Sequence, residues 1–469
     1  MKLTILGAGG FRTPIVYHAL LRDTGTPRVT EVALFDIDAG RLADMTRVLR
    51  EQADAFTDAP TLTVTTDART AIAGADFVFA AIRVGGLAGR RVDEHVALNL
   101  GVLGQETTGA GGIAYALRTV PVMLAYARLI AEFAPDAYLL NFTNPAGIIT
   151  EALQSVLGDR VLGICDTPSG LGRRLATLLD LDADLGNDPE HDPARNPNAS
   201  RLQFDYVGLN HLGWMRRVLF DGRDLLPGLL ADDSLLSTLE EAHIFGIDWI
   251  RALGAIPNEY LYYYYFNRDA VANVLASPVT RGDFLETTQT AFFGALATRT
   301  RDAIGLWRAA VTERDASYMA EAKGGVQGHP AAPPEVELDP AQQGYAGVAL
   351  AVMRAISRNE PTTMILNVRN GGTIAGLPDD AVVEVPTLVD ADGVHPLPTP
   401  APHLEQLGLM QQVKAVERHA IAAATTGDAS EALKAFALHP LVDSVTVGEQ
   451  LLAGYCAALP ELAALFGRR

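Results

Sequence analysis

The sequence predicts an α/β protein, with an N-terminal Rossmann-like parallel sheet followed by a C-terminal mixed α+β domain. Three observations carry this reading. An apolar opening strand runs straight into Gly7, Gly9 and Gly10, a strand–helix rhythm continues as far as Cys165, and that rhythm is lost beyond Asp166.

Residues 2–8 form the first expected strand and 14–22 a helix; a second strand at 29–35 ends beside Asp36, and 39–57 has the texture of a helix packed on one side. Strands at 62–65 and 76–81 flank a short helix at 71–73, and a long helix at 113–133 follows. A strand at 137–141, a helix at 145–157 and a strand at 161–165 complete the repeat. The strands are apolar throughout, as in a parallel sheet covered on both faces. Ligands of such sheets bind beyond the carboxyl ends of the strands, so Arg83, Asn141, Asn144 and Cys165 are expected in one region.

Further along, the Asp-, Asn- and Pro-rich residues 184–200 and the polar residues 324–340 read as exposed loops. Strands at 201–207 and 215–220 flank a turn-rich segment at 208–213. A helix at 345–357, strands at 363–368 and 382–386, and helices at 409–424 and 431–437 complete the chain, which divides into domains 1–168 and 169–469. Two domains suit 469 residues, because one domain commonly takes ~100–200.

The net charge of −19, from 56 acids and 37 bases, argues against nucleic acid as a partner, since a binder needs clustered positive surface. Two cysteines fit a reducing compartment rather than a disulfide scaffold. The N-terminal apolar run breaks into glycines without a cleavage pattern, and no continuous apolar stretch reaches the ~18 residues of a membrane span. A cytoplasmic protein without a membrane partner is therefore expected.

In the glycine turn, Gly7 permits the sharp strand-to-helix reversal, and Gly9 and Gly10 let backbone amides approach a pyrophosphate. Asp36 ends the second strand, where a carboxylate accepts hydrogen bonds from a ribose with a free 2′-hydroxyl and repels a 2′-phosphate. That favours NAD over NADP. The pattern departs from the simple fingerprint: Arg12 stands where a third glycine is sought, and Asp36 lies further on than the usual ~20 residues. Strand, acid and α/β rhythm together favour a dinucleotide over a purely structural turn.

Cys165, at a strand end before Asp166 and Pro168, and His211, in GLNHLGW, each admit two readings. A free cysteine is commonly buried and inert, and a lone histidine is commonly a hydrogen-bonded structural residue. Alternatively, thiolate and imidazole hold a divalent ion whose open positions face substrate oxygens. Spacing alone does not choose.

The motifs GAGGF at 7–11, FDID at 35–38, RVGGLAGR at 83–90, GQETTG at 104–109, NFTNPAG at 141–147, CDTP at 165–168, GLNHLGW at 208–214 and NVRNGGTIAGLPDD at 367–380 follow one another along most of the chain. In this order they resemble glycoside hydrolase family 4, in particular its 6-phospho-glucosidases. The resemblance implies a glycosidase that uses NAD and a divalent metal, usually Mn2+. It selects the metal reading of Cys165 and His211, and it explains the lack of an obvious carboxylate pair, since this family is an exception to two-carboxylate hydrolysis. Gly7, Gly9, Gly10, Phe11, Asp36, Arg41 and Asn141 form the expected cofactor set in an NAD-binding domain 1–168. Domain 169–469 is expected to serve substrate, metal and oligomerisation, the family usually forming dimers or tetramers.

The implied chemistry is transient oxidation at C3, removal of the acidified C2 proton, elimination of the leaving group and addition of water. The base resembles a family tyrosine and falls on Tyr260 in IPNEYLYYYYF; without the resemblance these tyrosines read as packing. Arg83, Arg90 and Arg281, with Arg369 behind them, are the implied 6-phosphate contacts, since arginine suits bidentate phosphate binding. Asn144 and Asn210 are implied to meet sugar hydroxyls, and Glu106 to contact or orient the reacting region. The expected substrate is a phosphorylated disaccharide such as cellobiose 6-phosphate, or an aryl 6-phospho-glucoside. Asp166 gives the CDxP form that resembles phospho-α-glucosidases, where it assists the leaving group as general acid. The segments around His211 and Tyr260 resemble the β-acting group. The β reading is preferred, and the α reading and a plain NAD-dependent sugar or hydroxy-acid dehydrogenase stay open.

Overall fold

The structure is a computed structural model that describes residues 1–181, 201–299, 301–316, 322 and 344–467. The loops expected at 184–200 and 324–340 lie outside these residues. The chain forms two compact units. One comprises Met1–Leu162, Val271–Met319 and Ala415–Arg469, and the other Gly163–Ala270 and Ala320–Lys414.

In the first unit, β1 (Lys2–Leu6), β2 (Glu31–Phe35), β3 (Thr61–Thr65), β4 (Phe77–Ala80) and β5 (Tyr138–Asn141) form a parallel sheet in the order β3-β2-β1-β4-β5. Leu3, Ile5, Val32, Leu34, Val78 and Leu140 are fully buried, which explains why these strands are apolar rather than alternating. Helix Gly109–Phe133 crosses the core with Ala114, Leu117, Met123 and Ala127 fully buried. By length and composition it also passes as a membrane span, a refinement of the expectation from the sequence, but its apolar side chains face this core. Arg118 of that helix grips Asp93 of helix Gly86–Leu98 through two bonds of 2.5 and 2.6 Å, with both side chains sealed from water.

Helix Gly86–Leu98 is absent from the sequence reading, because Gly85 at φ +83° and Gly86 at φ +58° open it and obscure its periodicity. The first division, after Leu162, falls close to residue 168. The stretch 169–469, however, is split between the units: helices Arg281–Thr298 and Ala303–Ala316 belong to the first. Phe292, Leu296 and Trp307 from these helices bury themselves against Phe11, Met45 and Val48, and this apolar cluster holds the insertion in place.

The second unit is largely antiparallel. Short β6 (Val161–Gly163) sets Gly163 opposite Asn367. The remaining strands are β7 (Leu202–Leu209), β8 (Leu212–Phe220), β9 (Arg223–Asp224), β10 (Ile256–Pro257), β11 (Thr362–Arg369), β12 (Val382–Asp390) and β13 (Gly393–Pro396). They run in the order β10-β8-β7-β12-β11, with β9 on β8 and β13 on β12. The strand expected at 161–165 stops at Gly163, because Cys165 caps helix Asp166–Leu178.

The segment 208–213 is not an extended turn. β7 and β8 continue through it to a two-residue reversal at Asn210 and His211, with Leu209 opposite Leu212 and Gly208 opposite Gly213. The two glycines are required by close approach. A Cβ on Gly208 would lie 2.4 Å from the Leu212 carbonyl oxygen, and one on Gly213 would lie 2.3 Å from the Tyr206 hydroxyl.

His439 in the first unit is buried, and burial pushes its imidazole down to about 3. The Leu441 amide donates to its Nδ1 at 3.1 Å, which requires that nitrogen to carry no proton. A depressed histidine contributes stability that is whole above its unfolded value of ~6.5 and declines as pH falls toward the folded value. Between pH 7.5 and 5 the loss should be about 2 kcal/mol. Urea unfolding across that range should show the decline, and His439→Gln should remove most of it.

Candidate active site

The glycine turn in the first unit is a cradle of bare backbone. Gly7 adopts φ +88°, and a Cβ there would meet the Ala81 carbonyl oxygen at 2.7 Å. At Gly9 a Cβ would lie 2.9 Å from the Asp36 carboxylate, which accepts the Gly9 amide at 2.9 Å and the Asp38 amide at 3.0 Å. Asp36 therefore stands at the mouth of the turn with its carboxylate already aimed. Helix Thr13–Leu21 follows, with Pro14 in its first turn, where a missing amide hydrogen costs nothing.

The other expected cofactor residues have further tasks. The Phe11 ring packs edge-on to Phe292 at 5.2 Å, and its carbonyl accepts the Trp307 indole at 2.9 Å. The Arg41 guanidinium lies 4.8 Å from the centre of the Phe293 ring. Asn141 is fully buried, and its side chain ties the turn after β5 through Thr143, Ala146 and Thr150. The Asn144 side chain accepts the Ala146 amide at 3.3 Å.

The same unit gathers the arginines around two acids. Glu106 lies 2.5 Å from Arg83 and 2.8 Å from Arg90, and Arg90 also donates to Glu94 at 2.8 Å. Glu94 in turn accepts the Gly282 amide at 2.8 Å, at the head of the helix that begins with Arg281. Arg281 donates to the Arg314 carbonyl at 2.8 Å. Burial pushes the Glu106 carboxyl up, but Arg83, then Arg90, more than reverse this and hold it at about 2. Nη1 of Arg83 is buried without a hydrogen-bond partner, a donor suited to an anion. Arg369 is exposed at the end of β11 in the second unit.

The second unit holds the thiol, the imidazole and the tyrosine. Cys165 is buried at the head of helix Asp166–Leu178; burial, then the Glu384 carboxylate, pushes its thiol well up. Asp166 opens that helix, and the next residue, Thr167, donates to Glu259 at 3.3 Å. His211 adopts φ +62° at the hairpin reversal, a left-handed conformation unusual for a non-glycine residue. Its ring lies flat on Tyr260, with centroids 3.9 Å apart and planes 9° from parallel. Asn210 donates to Glu384 at 3.3 Å.

Glu384 escapes the sequence reading. It is fully buried on β12, and burial pushes its carboxyl up to about 7 against the pull of Asn210, Asn367 and Tyr206. The signal was available: VVEVP places one acid inside an apolar strand, where a carboxylate must have partners. Tyr206, Asn258 and Asn367, which surround it, carry no comparable signal.

Comparison with known proteins decides the family. Residues 2–181 match the family 4 glycosyl hydrolase description, and residues 206–442 match the family 4 glycosyl hydrolase C-terminal domain. The chain belongs to glycosyl hydrolase family 4. Among its relatives is a probable 6-phospho-beta-glucosidase of Bacillus subtilis, 30% identical over 465 residues, with 96% of this chain and 95% of the relative covered. A 6-phospho-alpha-glucosidase from gut microorganisms, solved with NAD and Mn2+, superposes with a TM-score of 0.76 at 27% identity, covering 97% of each chain. The 6-phospho-beta glucosidase of Thermotoga maritima, solved with manganese, NAD+ and glucose-6-phosphate, gives 0.80 at 25% identity, covering 98% of this chain and 99% of that one.

The residues present fit the groups that a family 4 fold implies. The turn after β1 closes so tightly on Ala81 and Asp36 that only glycine fits at positions 7 and 9, as the strand-to-helix turn of a dinucleotide fold requires. A thiol and an imidazole suit a divalent transition metal. Among the described residues no group of three or more His, Cys, Asp or Glu side chains is arranged to hold an ion.

Glu106→Ala should lower stability by about 3 kcal/mol, because it leaves the Arg83 and Arg90 charges facing one another without their shared acid. The wild-type contribution should be whole above the ordinary carboxyl value of 4.5 and decline as pH falls toward about 2. Urea unfolding of both proteins at pH 7 and pH 3.5 checks the magnitude and the sign.

Proposed function

We propose that this family 4 enzyme hydrolyses 6-phospho-β-glucosides, such as phosphorylated disaccharides and aryl 6-phospho-glucosides. The coarser statement, a glycosidase assisted by NAD and a metal and acting on phosphorylated sugars, follows from the family and from the phospho-glucosidases it resembles. The observation that carries the mechanism is the face-to-face stack of His211 and Tyr260. It sets the expected base against the expected metal ligand.

When bound, NAD supplies reversible hydride acceptance at C3, and the divalent ion supplies positive charge for the oxyanion that develops at the sugar oxygens. Tyr260 takes the C2 proton that a C3 ketone acidifies; a phenol needs a cationic neighbourhood for this near neutral pH, and a divalent ion held by Cys165 and His211 would supply it. The C1–O bond then breaks, water gives its hydroxyl to C1 and its proton to the departing oxygen, Tyr260 returns a proton to C2, and the hydride taken from C3 goes back there. Asn210 and Asn144 orient the hydroxyls. Arg83, Arg90 and Arg281 receive the 6-phosphate, supported by the buried, unpartnered Nη1 of Arg83.

The β preference rests on the GLNHLGW and NEYLYYYY segments. Asp166 favours the α reading, since the CDTP form it gives resembles that of phospho-α-glucosidases. A cytoplasmic setting is supported by the two free thiols, Cys165 and Cys456.

Purified protein with NAD, Mn2+ and a reductant, assayed against paired α- and β-nitrophenyl 6-phosphoglucosides and their unphosphorylated counterparts, should release nitrophenol from the phosphorylated β compound without net NADH. NADH accumulation without hydrolysis would replace this reading with a dehydrogenase, and preference for the α compound would replace the anomer. His211→Ala should abolish Mn2+-dependent turnover while NAD binding survives. Solvent deuterium should enter the substrate at C2 with the wild type, and Tyr260→Phe should exchange at least tenfold more slowly, on the order of a general base's contribution.

A further inference from the structure

We infer that Glu384 is a positioning residue, which sets His211 and Tyr260 in register through two hydrogen-bonded arms that meet on its carboxylate. The inference rests on the proposed roles of those two residues. One arm is short: Oε1 accepts the side-chain amide of Asn210 at 3.3 Å, and Asn210 is the chain neighbour of His211 in the hairpin reversal. The second arm starts at Oε2, which accepts the Tyr206 hydroxyl at 3.1 Å; that hydroxyl accepts the Asn258 side-chain amide at 3.2 Å, and the Asn258 carbonyl oxygen accepts the Tyr260 amide at 3.0 Å. Asn367 donates to Oε1 at 2.9 Å and anchors the carboxylate on β11.

Three features make this more than a buried polar network. First, the arms end at the chain neighbour of His211 and at the backbone amide of Tyr260, the residues whose rings lie flat on one another, so a shift of either arm moves the backbone that carries one of the rings. Second, His211 holds a left-handed backbone, which is strained for a non-glycine residue and persists only where neighbours over-determine it. The tether on Asn210 is such a constraint. Third, the Asn258 amide donates to the Gly213 carbonyl at 2.9 Å, while the Tyr206 hydroxyl fills the space beside Gly213. The second arm is therefore wedged along the strand that carries His211.

Every side chain that Glu384 touches presents a donor, which calls for an acceptor at both oxygens. A carboxylate provides that; a carboxamide does not, because its NH2 either opposes the two asparagine NH2 groups or, turned toward Tyr206, makes that hydroxyl an acceptor and reverses the bond at the head of the second arm. Glu384→Gln therefore keeps the shape and disturbs an arm, and Tyr206→Phe cuts only the arm to Tyr260. Outer partners of metal ligands commonly change affinity by about 10–100-fold when altered.

The test uses the full-length enzyme with NAD and two readouts: Mn2+ affinity, from the paramagnetic resonance signal of the free ion without turnover, and C2 deuterium exchange at saturating Mn2+. Tyr206→Phe should keep Mn2+ affinity and KM within about threefold and slow exchange about tenfold or more. Glu384→Gln should slow exchange too, and should weaken Mn2+ binding about tenfold. Wild-type affinity and exchange in Glu384→Gln overturn the inference. If Glu384→Gln does not fold, Tyr206→Phe decides, and wild-type exchange in that variant overturns it. His211→Ala separates the two levels: loss of Mn2+ there with full binding and exchange in Glu384→Gln defeats the positioning role alone, whereas undiminished Mn2+ binding in His211→Ala defeats the metal reading and, with it, the arm to His211.

Discussion

A carboxylate removed from water must gather hydrogen bonds or opposite charge, or else take up a proton. This chain meets that requirement repeatedly. Glu384 collects two asparagines and a tyrosine, Glu106 collects two arginines, and Asp93 takes both arms of the Arg118 guanidinium. The partners come from distant parts of the sequence, so each buried acid fixes a set of elements that local propensity would leave free. Asp93 locks helix Gly86–Leu98 to the core helix, and the locked helix presents Arg90. The geometry of the arginine cluster depends on a salt bridge one turn away from it.

Glycine makes the complementary contribution. At Gly7 the missing side chain lets the turn close on the Ala81 carbonyl and at Gly9 on the Asp36 carboxylate, whereas at Gly208 and Gly213 it lets two strands and a phenol close up. The first pair shapes the turn after β1, and the second builds the rigid hairpin whose tip bears His211. The same residue type thus fits a turn to its neighbours in one place and two strands to each other in the other, and only the surroundings distinguish them.

That contrast explains what could be read from the chain. The parallel sheet was legible because β1, β2, β4 and β5 are short apolar runs between turn residues, and Asp36 was legible because it ends one of them. The hairpin at 202–220 was only half legible, since Gly208 and Gly213 look like turn residues when they are in fact close-packed strand residues flanking the reversal at Asn210 and His211. Helix Arg281–Thr298 and its neighbour escaped notice, as their apolar side chains answer to a cluster contributed by Phe11 and Met45 from the far end of the sequence. Cys165, His211 and Tyr260 were nameable from motifs, but not the stacking of the latter two, which requires the Asn258 and Glu384 contacts.

Trp307 adds a property of a different kind. Its indole hydrogen bond to the Phe11 carbonyl and its place against the Phe11 ring attach a chromophore to the residue that follows the glycine turn. The enzyme thus carries its own optical probe of the cofactor cradle, and tryptophan emission registers the order of that turn without any label. Trp214 and Trp249 lie in the other unit, so replacing both with phenylalanine would leave an emission that belongs to the cradle alone.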